Sequence, residues 1–381
     1  MEPDEFEDIR GAVRTFVRKT VVPQEPAIEE TDAIPDSLRQ AAVEMGLFGY
    51  ALPVEYGGLG LSMSQDVRMA IEFGYTAPAF RSMFGTNNGI AGQILTNFGT
   101  PEQRADYLPR LVAGAVASFA LTEPEAGSDP TWLRTTARRD GNTYAITGQK
   151  RYITNADQAD ILMVFARTSG PPGSTQGLSV FIVDAAAPGL TIGPKDSKMG
   201  QRGSTTSEVF LDEVTVPIAR LVGGQEGSGF KAAMTSLARG RLYIAGLCVG
   251  MAERLLEEMV AYATTAKQGG RPIADYQLVQ AMLADSQTEL LAGRSMLAAA
   301  ASAYDDGSDR RLAPSCAKLF CSEMVGRVAD RAVQVHGGLG YLRTVPVEHF
   351  YRDARLYRIY EGTSEIQRIV IAKQLVAGAR A

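Results

Sequence analysis

Apolar side chains in the first hundred residues recur at helical spacing. Phe6, Ile9, Val13 and Phe16, with Val17 beside them, fall three or four residues apart, the interval that lines one helix face. Asp36-Ser37 opens a second helix and Gly46 closes it. Pro53 to Gly60, with Gly57-Gly58, reads as a turn-rich loop. Ile90, Ile94, Leu95 and Phe98 form another stripe. Gly99-Thr100-Pro101 breaks it, and Thr100 caps a new helix with Pro101 at its first position.

The pattern changes near residue 117. Runs rich in β-formers follow one another: Thr143 to Thr147, Arg151 to Thr154, Ile161 to Phe165, Leu178 to Val183 and Ser207 to Leu211. Asp140-Gly141, the Gly170 to Gly173 loop and Pro188-Gly189 separate them. This density of strands predicts a compact β-domain of roughly 100 residues. Past Gly227-Ser228-Gly229 the helical period returns. A long helix runs to about Ala266, and others follow near 275–304, 314–335 and 364–377, which predicts a helical bundle. The predicted domains are 1–116 helical, 117–224 β and 225–381 helical. This order excludes a doubly wound sheet. No strand–GxGxxG–helix unit is present to bind a dinucleotide in that manner.

Composition narrows the function. The chain has 381 residues, 45% hydrophobic and 21% charged, as expected of a globular protein. A net charge of −5 leaves no basic footprint for nucleic acid. No run of about 18 apolar residues spans a membrane. The acidic start, Met1-Glu2-Pro3-Asp4-Glu5, lacks the features of a signal or transit peptide, so a cytoplasmic protein is expected. Three cysteines lie in apolar, helix-like stretches without ligand spacing, and there are two histidines, His336 and His349. A metal site or a Ser-His-Asp triad has little material. The chemistry falls to carboxylates, hydroxyls or a cofactor.

Four segments stand out. Leu121-Thr122-Glu123-Pro124-Glu125-Ala126-Gly127-Ser128-Asp129 combines hydroxyls with small residues that let a ligand approach the backbone, although a polar loop entering the β-domain has the same composition. Tyr152-Ile153-Thr154 ends a strand. Gln334-Val335-His336-Gly337-Gly338-Leu339-Gly340-Tyr341 ends a helix with more glycine than a cap requires. Tyr360-Glu361-Gly362-Thr363-Ser364-Glu365-Ile366-Gln367-Arg368 places Glu361 just before a helix that Thr363 or Ser364 can cap. Taken singly, a glutamate is usually a solvated surface group.

Together, and in this order, the four segments resemble the acyl-CoA dehydrogenase family. Lys198-Met199-Gly200-x-Arg202-Gly203-Ser204 and Asp212-Glu213-Val214-x-Val216-Pro217 are similar to its middle domain. The resemblance spans nearly the whole chain. It implies an N-terminal helical domain, a middle β-barrel domain and a C-terminal four-helix bundle, in a homotetramer. It implies FAD as cofactor, an acyl-CoA or acyl-carrier-protein thioester as substrate, and an electron-transfer flavoprotein as acceptor. Leu121, Thr122, Gly127 and Ser128 resemble the loop that holds the flavin ring and a neighbouring phosphate. Tyr152, Ile153 and Thr154 match the ring edge. Gln277 matches the adenine side. Gln334, Gly337 and Gly338 match the stretch that meets a neighbouring subunit's FAD, and Thr363 and Glu365 match dinucleotide contacts. Ser128, Arg241 and Gly362 match the substrate side.

By the same resemblance Glu361 is the base. Two C–H bonds break in this chemistry, a proton leaving the α-carbon and a hydride leaving the β-carbon. Gly240 precedes Arg241, where some relatives carry their glutamate, which supports Glu361 as sole base. The chain departs from the family at Ala266, where an arginine is usual, and at Gly269, where a phenylalanine is usual. Weaker flavin retention is then expected, unless Lys267 or Arg271 substitutes. Three readings fit the departures: an ordinary enzyme, a carrier-protein-linked dehydrogenase of secondary metabolism, or a thioester-binding subunit with little flavin. Retention of Glu361 and of the Thr122 loop argues against the last.

Overall fold

The computed structural model describes residues 1–380. Its first part is helical: α1 Pro3–Phe16, α2 Glu25–Thr31, α3 Asp36–Glu44, α4 Met63–Gly74, α5 Pro78–Gly89, α6 Ala91–Phe98 and α7 Pro101–Val112. Capping boxes start α4 (Ser62 with Gln65) and α7 (Thr100 with Gln103), each satisfying two amide groups that helix geometry leaves free. Every residue of α5 is buried. It has no polar face, so its sequence carries no amphipathic period.

Seven strands follow: β1 Ala117–Ala120, β2 Thr136–Asp140, β3 Thr143–Thr154, β4 Ile161–Arg167, β5 Leu178–Asp184, β6 Leu190–Ile192 and β7 Thr206–Pro217. They form one curled sheet. β4 pairs in parallel with β1 and antiparallel with β5, while β3 pairs antiparallel with β2 and β7. The two runs predicted over 143–154 are a single strand, interrupted by register shifts around Thr147 and around Arg151-Tyr152. β4 is buried throughout, and its alternation divides two cores. Ile161, Met163 and Phe165 pack with α6 and α7, whereas Leu162, Val164 and Ala166 fill the inside of the curl.

The last part is α8 Gly229–Thr265, the hairpin β8 Lys267–Gln268 with β9 Arg271–Pro272, then α9 Gln277–Asp305, α10 Leu312–His336, α11 Pro346–Ala354 and α12 Ser364–Gly378. The predicted bundle is present, and α11 is an addition to it. The first and last helical regions share one core that includes Phe73, Phe80, Leu247 and Met324. Glycines set the contact between α4 and α8: a Cβ on Gly74 would overlap Leu247 O, and one on Gly250 would overlap Ile71 O. Glu72 on α4 is 2% exposed and accepts from Arg10 (2.8 Å), Arg14 (2.7 Å) and Arg18 (3.0 Å). The arginines stand four residues apart, on one face of the first helical stretch. No helix among the described residues is long and apolar enough to cross a membrane.

Candidate active site

Thr122 lies in a loop that Glu123 fixes. The Glu123 carboxylate accepts from Lys150 Nζ (2.7 Å), Arg134 N (2.7 Å), Thr135 N (3.0 Å) and Thr135 Oγ1 (2.5 Å). These donors hold its pKa down against the upward pull of burial. Glu123 and Ala126 exchange backbone bonds at 3.2 Å, and Arg151 N donates to Thr122 O at 2.9 Å. The loop is thereby tied to the end of β3. Gly127 and Ser128 are exposed, and a Cβ on Gly127 would meet nothing within 4 Å.

At the register shift in β3, Tyr152 takes φ 57° and is 62% exposed. Ile153 turns its side chain into the core at 1% exposure, leaving only its main chain to meet a ligand. Asn155 Nδ2 donates to Ser82 O at 2.6 Å and Ser118 Oγ to Thr154 O at 2.8 Å. The strand end is thus seated against α5 and β1.

Glu361 lies between α11 and α12. It takes φ 52°, and Gly362 takes φ 88°, so two successive residues are left-handed. For a non-glycine residue this conformation is strained and needs outside support. Lys318 Nζ donates to Gly362 O at 2.7 Å, and Gln367 Nε2 to Gly362 O at 3.0 Å and Glu361 O at 3.3 Å. Thr363 then caps α12 by accepting from Ile366 N at 3.3 Å. The tight connection turns the Glu361 side chain toward α8. Gly240 supplies the space there: a Cβ on Gly240 would overlap Glu361 Oε2.

Glu361 Oε2 is buried and has no hydrogen-bond partner, and no acceptor for the Glu361 N–H lies in bonding geometry among the described residues. Desolvation raises the carboxyl pKa, opposed by the fields of Arg81, Lys318 and Arg241. Lys318 is itself lowered by burial to about 8. Arg241 is 8% exposed and donates to Ser315 Oγ at 3.3 Å. Arg81 donates to Tyr360 OH at 2.5 Å. A half-buried carboxyl whose Oε2 is sealed and unpartnered, with a raised pKa, has the properties that removal of a weakly acidic proton requires.

Three domain models describe the same family: acyl-CoA dehydrogenase, N-terminal domain, at residues 3–115; middle domain, at 118–214; and C-terminal domain, at 227–376. The chain belongs to the acyl-CoA dehydrogenase family. It is 39% identical over 371 residues to an acyl-CoA dehydrogenase of Bacillus subtilis (strain 168), covering 97% of each chain. It is similar to the prolyl acyl carrier protein oxidase AnaB, with TM-score 0.93 and 33% identity over 98% of this chain and 100% of that one. The FAD complex of PigA matches with TM-score 0.94 and 26% identity over 100% and 99%. Membership makes the chain an FAD-dependent oxidoreductase.

The residues present fit that cofactor. The hydroxyls of Thr122, Ser128 and Thr154 bond to no protein side chain or backbone group among the described residues. Gly127 is open, and Tyr152 is presented outward. The other expected contacts lie elsewhere. Gln334 is exposed about 24 Å along α10 from Lys318, and Gly337 and Gly338 have nothing within 4 Å of a Cβ. Gln277 lines an open depression of about 450 Å³ with Arg271, Asp275, Tyr276 and Leu278. Beside it Gly269 and Gly270 take φ 58° and 83°, the turn a two-residue hairpin needs. Arg271 stacks 4.1 Å from the Tyr276 ring centroid. Glu365 is exposed on the first turn of α12.

Sequence reasoning missed Arg81, because α5 carries no period. It also missed Lys318, whose only signal was a lysine in an otherwise apolar stretch.

Proposed function

We propose that the chain dehydrogenates an acyl thioester to the trans-2-enoyl thioester, with Glu361 as the base. The observation that carries this reading is the buried, unpartnered Oε2 held in the Gly240 gap. Glu361 takes the α-proton at that oxygen. FAD, when bound, supplies the acceptor for the β-hydride. The Glu361 N–H is a fixed donor for the thioester carbonyl, which must be polarised for the α-proton to leave. Lys318 and Gln367 keep the loop carbonyls in place, so base and N–H retain their direction. Thr122, Ser128, Tyr152, the Ile153 main chain and Thr154 would hold the flavin portion. Gln277, Gln334, Gly337, Gly338, Thr363 and Glu365 would serve the dinucleotide portion, in part across a subunit boundary. Ser128, Arg241 and Gly362 would meet the thioester substrate.

Several supports extend this reading to an assembly. Leu278 (82% exposed) and Leu291 on α9, with Ile369, Leu375 and Val376 on α12, leave apolar surface outward. A homotetramer would cover such faces. An electron-transfer flavoprotein is the acceptor in keeping with the resemblance. The similarity to AnaB favours a carrier-protein thioester as a second reading. Flavin reduction without oxygen, with matched CoA and carrier-protein thioesters, decides between the carriers, and peroxide formed in air identifies an oxidase. The deciding experiment for the base is Glu361→Gln. The variant should keep its flavin and lose reduction by about 10²–10⁴-fold, the usual general-base factor. Reduction at the wild-type rate removes Glu361 from the role.

A further inference from the structure

A second cluster of buried chemistry-bearing side chains has no task in the site described above. It lies where side chains of α2 and α11 meet. Glu25 and Glu29 stand four residues apart on α2, and His349 and Asp353 four apart on α11, so each pair shares one helix face. Ligand-type atoms of Glu29, His349 and Asp353 all lie within 4.8 Å of one another. His349 is 5% exposed and Asp353 is fully buried. Along the sequence the histidines show no ligand spacing, and only the packing of two distant helices gathers these three groups.

Each member is only half used by the protein. Glu29 Oε2 accepts from Arg352 Nη2 at 2.8 Å, while Glu29 Oε1 is sealed from solvent and has no partner. Asp353 Oδ1 accepts from Gln201 N, while Asp353 Oδ2 meets the His349 Nδ1 at 3.3 Å. His349 Nε2 is sealed and has no partner. The neighbouring charges are already committed. Glu25 accepts from Thr76 Oγ1 (2.7 Å), Ala77 N (3.2 Å) and Arg254 (3.4 Å). Arg352 is shared between Glu29 and Glu348. Asp353 forms no ion pair with a lysine or arginine among the described residues. Buried polar atoms are normally satisfied, and an ion placed among these ligand atoms would satisfy them.

We propose that Glu29, His349 and Asp353 bind a divalent transition-metal ion of the zinc type, with water completing its shell. One imidazole with two carboxylates is a donor set for such ions, whereas calcium and magnesium favour oxygen alone. Arg352 and the Gln201 N–H hold the remaining carboxylate oxygens and so orient the ligands from outside the shell. Glu29 is half-buried, which leaves the ion a way in from solvent. The ion pins α11 to α2. Through Asp353 and Gln201 it also steadies the loop before β7, and α11 leads into the segment that carries Glu361. The role is structural and does not depend on the dehydrogenase reading.

The test uses the flavin-loaded protein, dialysed against a chelator and then titrated calorimetrically with zinc chloride alone. Metal that survives dialysis is counted by elemental analysis. The expected result is one zinc ion per chain, bound at micromolar concentration or below, with a higher Tm in zinc than in chelator. Calcium chloride should give neither effect. His349→Gln and Glu29→Gln should each weaken zinc binding by about 100-fold or more, because losing a partner outside the ligand shell alone costs roughly 10–100-fold. No zinc bound at submillimolar concentration overturns the proposal and leaves His349 and Asp353 as an ordinary ion pair. Zinc bound with unchanged affinity in either variant is adventitious and overturns it as well. Calcium bound as tightly as zinc overturns the assignment to a transition metal. If one variant fails to fold, the wild-type titration and the other variant still decide.

Discussion

Glu123 is buried and Glu361 half-buried with its Oε2 sealed from solvent, and the fold treats these two carboxylates in opposite ways. Glu123 accepts from two backbone amides, a hydroxyl and the fully buried Lys150, and its pKa is held down. Glu361 is turned into a gap that a glycine leaves open. Its Oε2 has no partner and its pKa is raised. Burial alone therefore does not mark function. A satisfied buried charge fixes a loop, whereas an unsatisfied one is held ready for a group that arrives from outside. Glu72, with its three arginines, belongs with Glu123.

The sharpest way to break this contrast is to neutralise each carboxylate in turn. Glu361→Gln should cost activity by about 10²–10⁴-fold while the protein still folds and holds flavin. Glu123→Ala should do the reverse. It leaves Lys150 buried and unpaired, a loss on the order of 3–5 kcal/mol, seen as a fall of roughly 5–10 °C in Tm. Flavin should also be lost on gel filtration, because the Thr122 loop loses its anchor. A Glu123→Ala protein with wild-type Tm and full flavin would show that the cluster does not hold the loop. Acid should reproduce the effect. A carboxylate whose folded pKa is lowered contributes stability above its unfolded pKa of about 4.3 and loses it as pH falls through the folded value. The loop should loosen only in acid.

Much of this was legible in the sequence, and the exceptions have physical causes. The strands β4 and β5 and the bundle helices α8, α9, α10 and α12 follow apolar runs and periods that the chain displays openly. The segments around Thr122 and Glu361 were legible through family resemblance, because a ligand-facing loop has no period of its own. α5 was not legible: buried on every side, it has no polar stripe to alternate with, and Arg81 went unseen with it. The partners of Glu123 were hidden for another reason. Arg134, Thr135 and Lys150 lie 11 to 27 residues away in sequence, and only the curl of the sheet brings them together. Gly240 was read as a missing glutamate. Its positive role, the space it leaves, is visible only when α8 and the Glu361 turn are packed together.

Gly240→Ala sharpens the comparison by a smaller step. The added methyl overlaps Glu361 Oε2 and must push the carboxyl aside. A displacement of about 1 Å at a reacting group can cost on the order of 10²-fold in rate. The expected outcome is a loss of that size in flavin reduction with little change in Tm, since alanine favours the helix interior over glycine. Full activity would mean that the carboxyl does not work from the gap.

The smallest expected effect is the one that most directly separates the two carboxylates. Glu361 has a folded pKa above its unfolded one, with desolvation as the first cause. The sign is then opposite to that of Glu123. Ionised Glu361 costs stability, and the cost appears as pH rises from about 4.3 through the raised folded value. Below that window the group is neutral in both states and costs nothing. Glu361→Gln should therefore stabilise the protein near neutral pH, by on the order of 1 kcal/mol or about 2 °C in Tm, and the gain should vanish at acidic pH. Thermal melts of the two proteins across pH measure this. A variant less stable than wild type at neutral pH would place Glu361 with Glu123 among the satisfied, structural carboxylates, because only a carboxylate that the folded state fails to partner is better replaced by an uncharged amide.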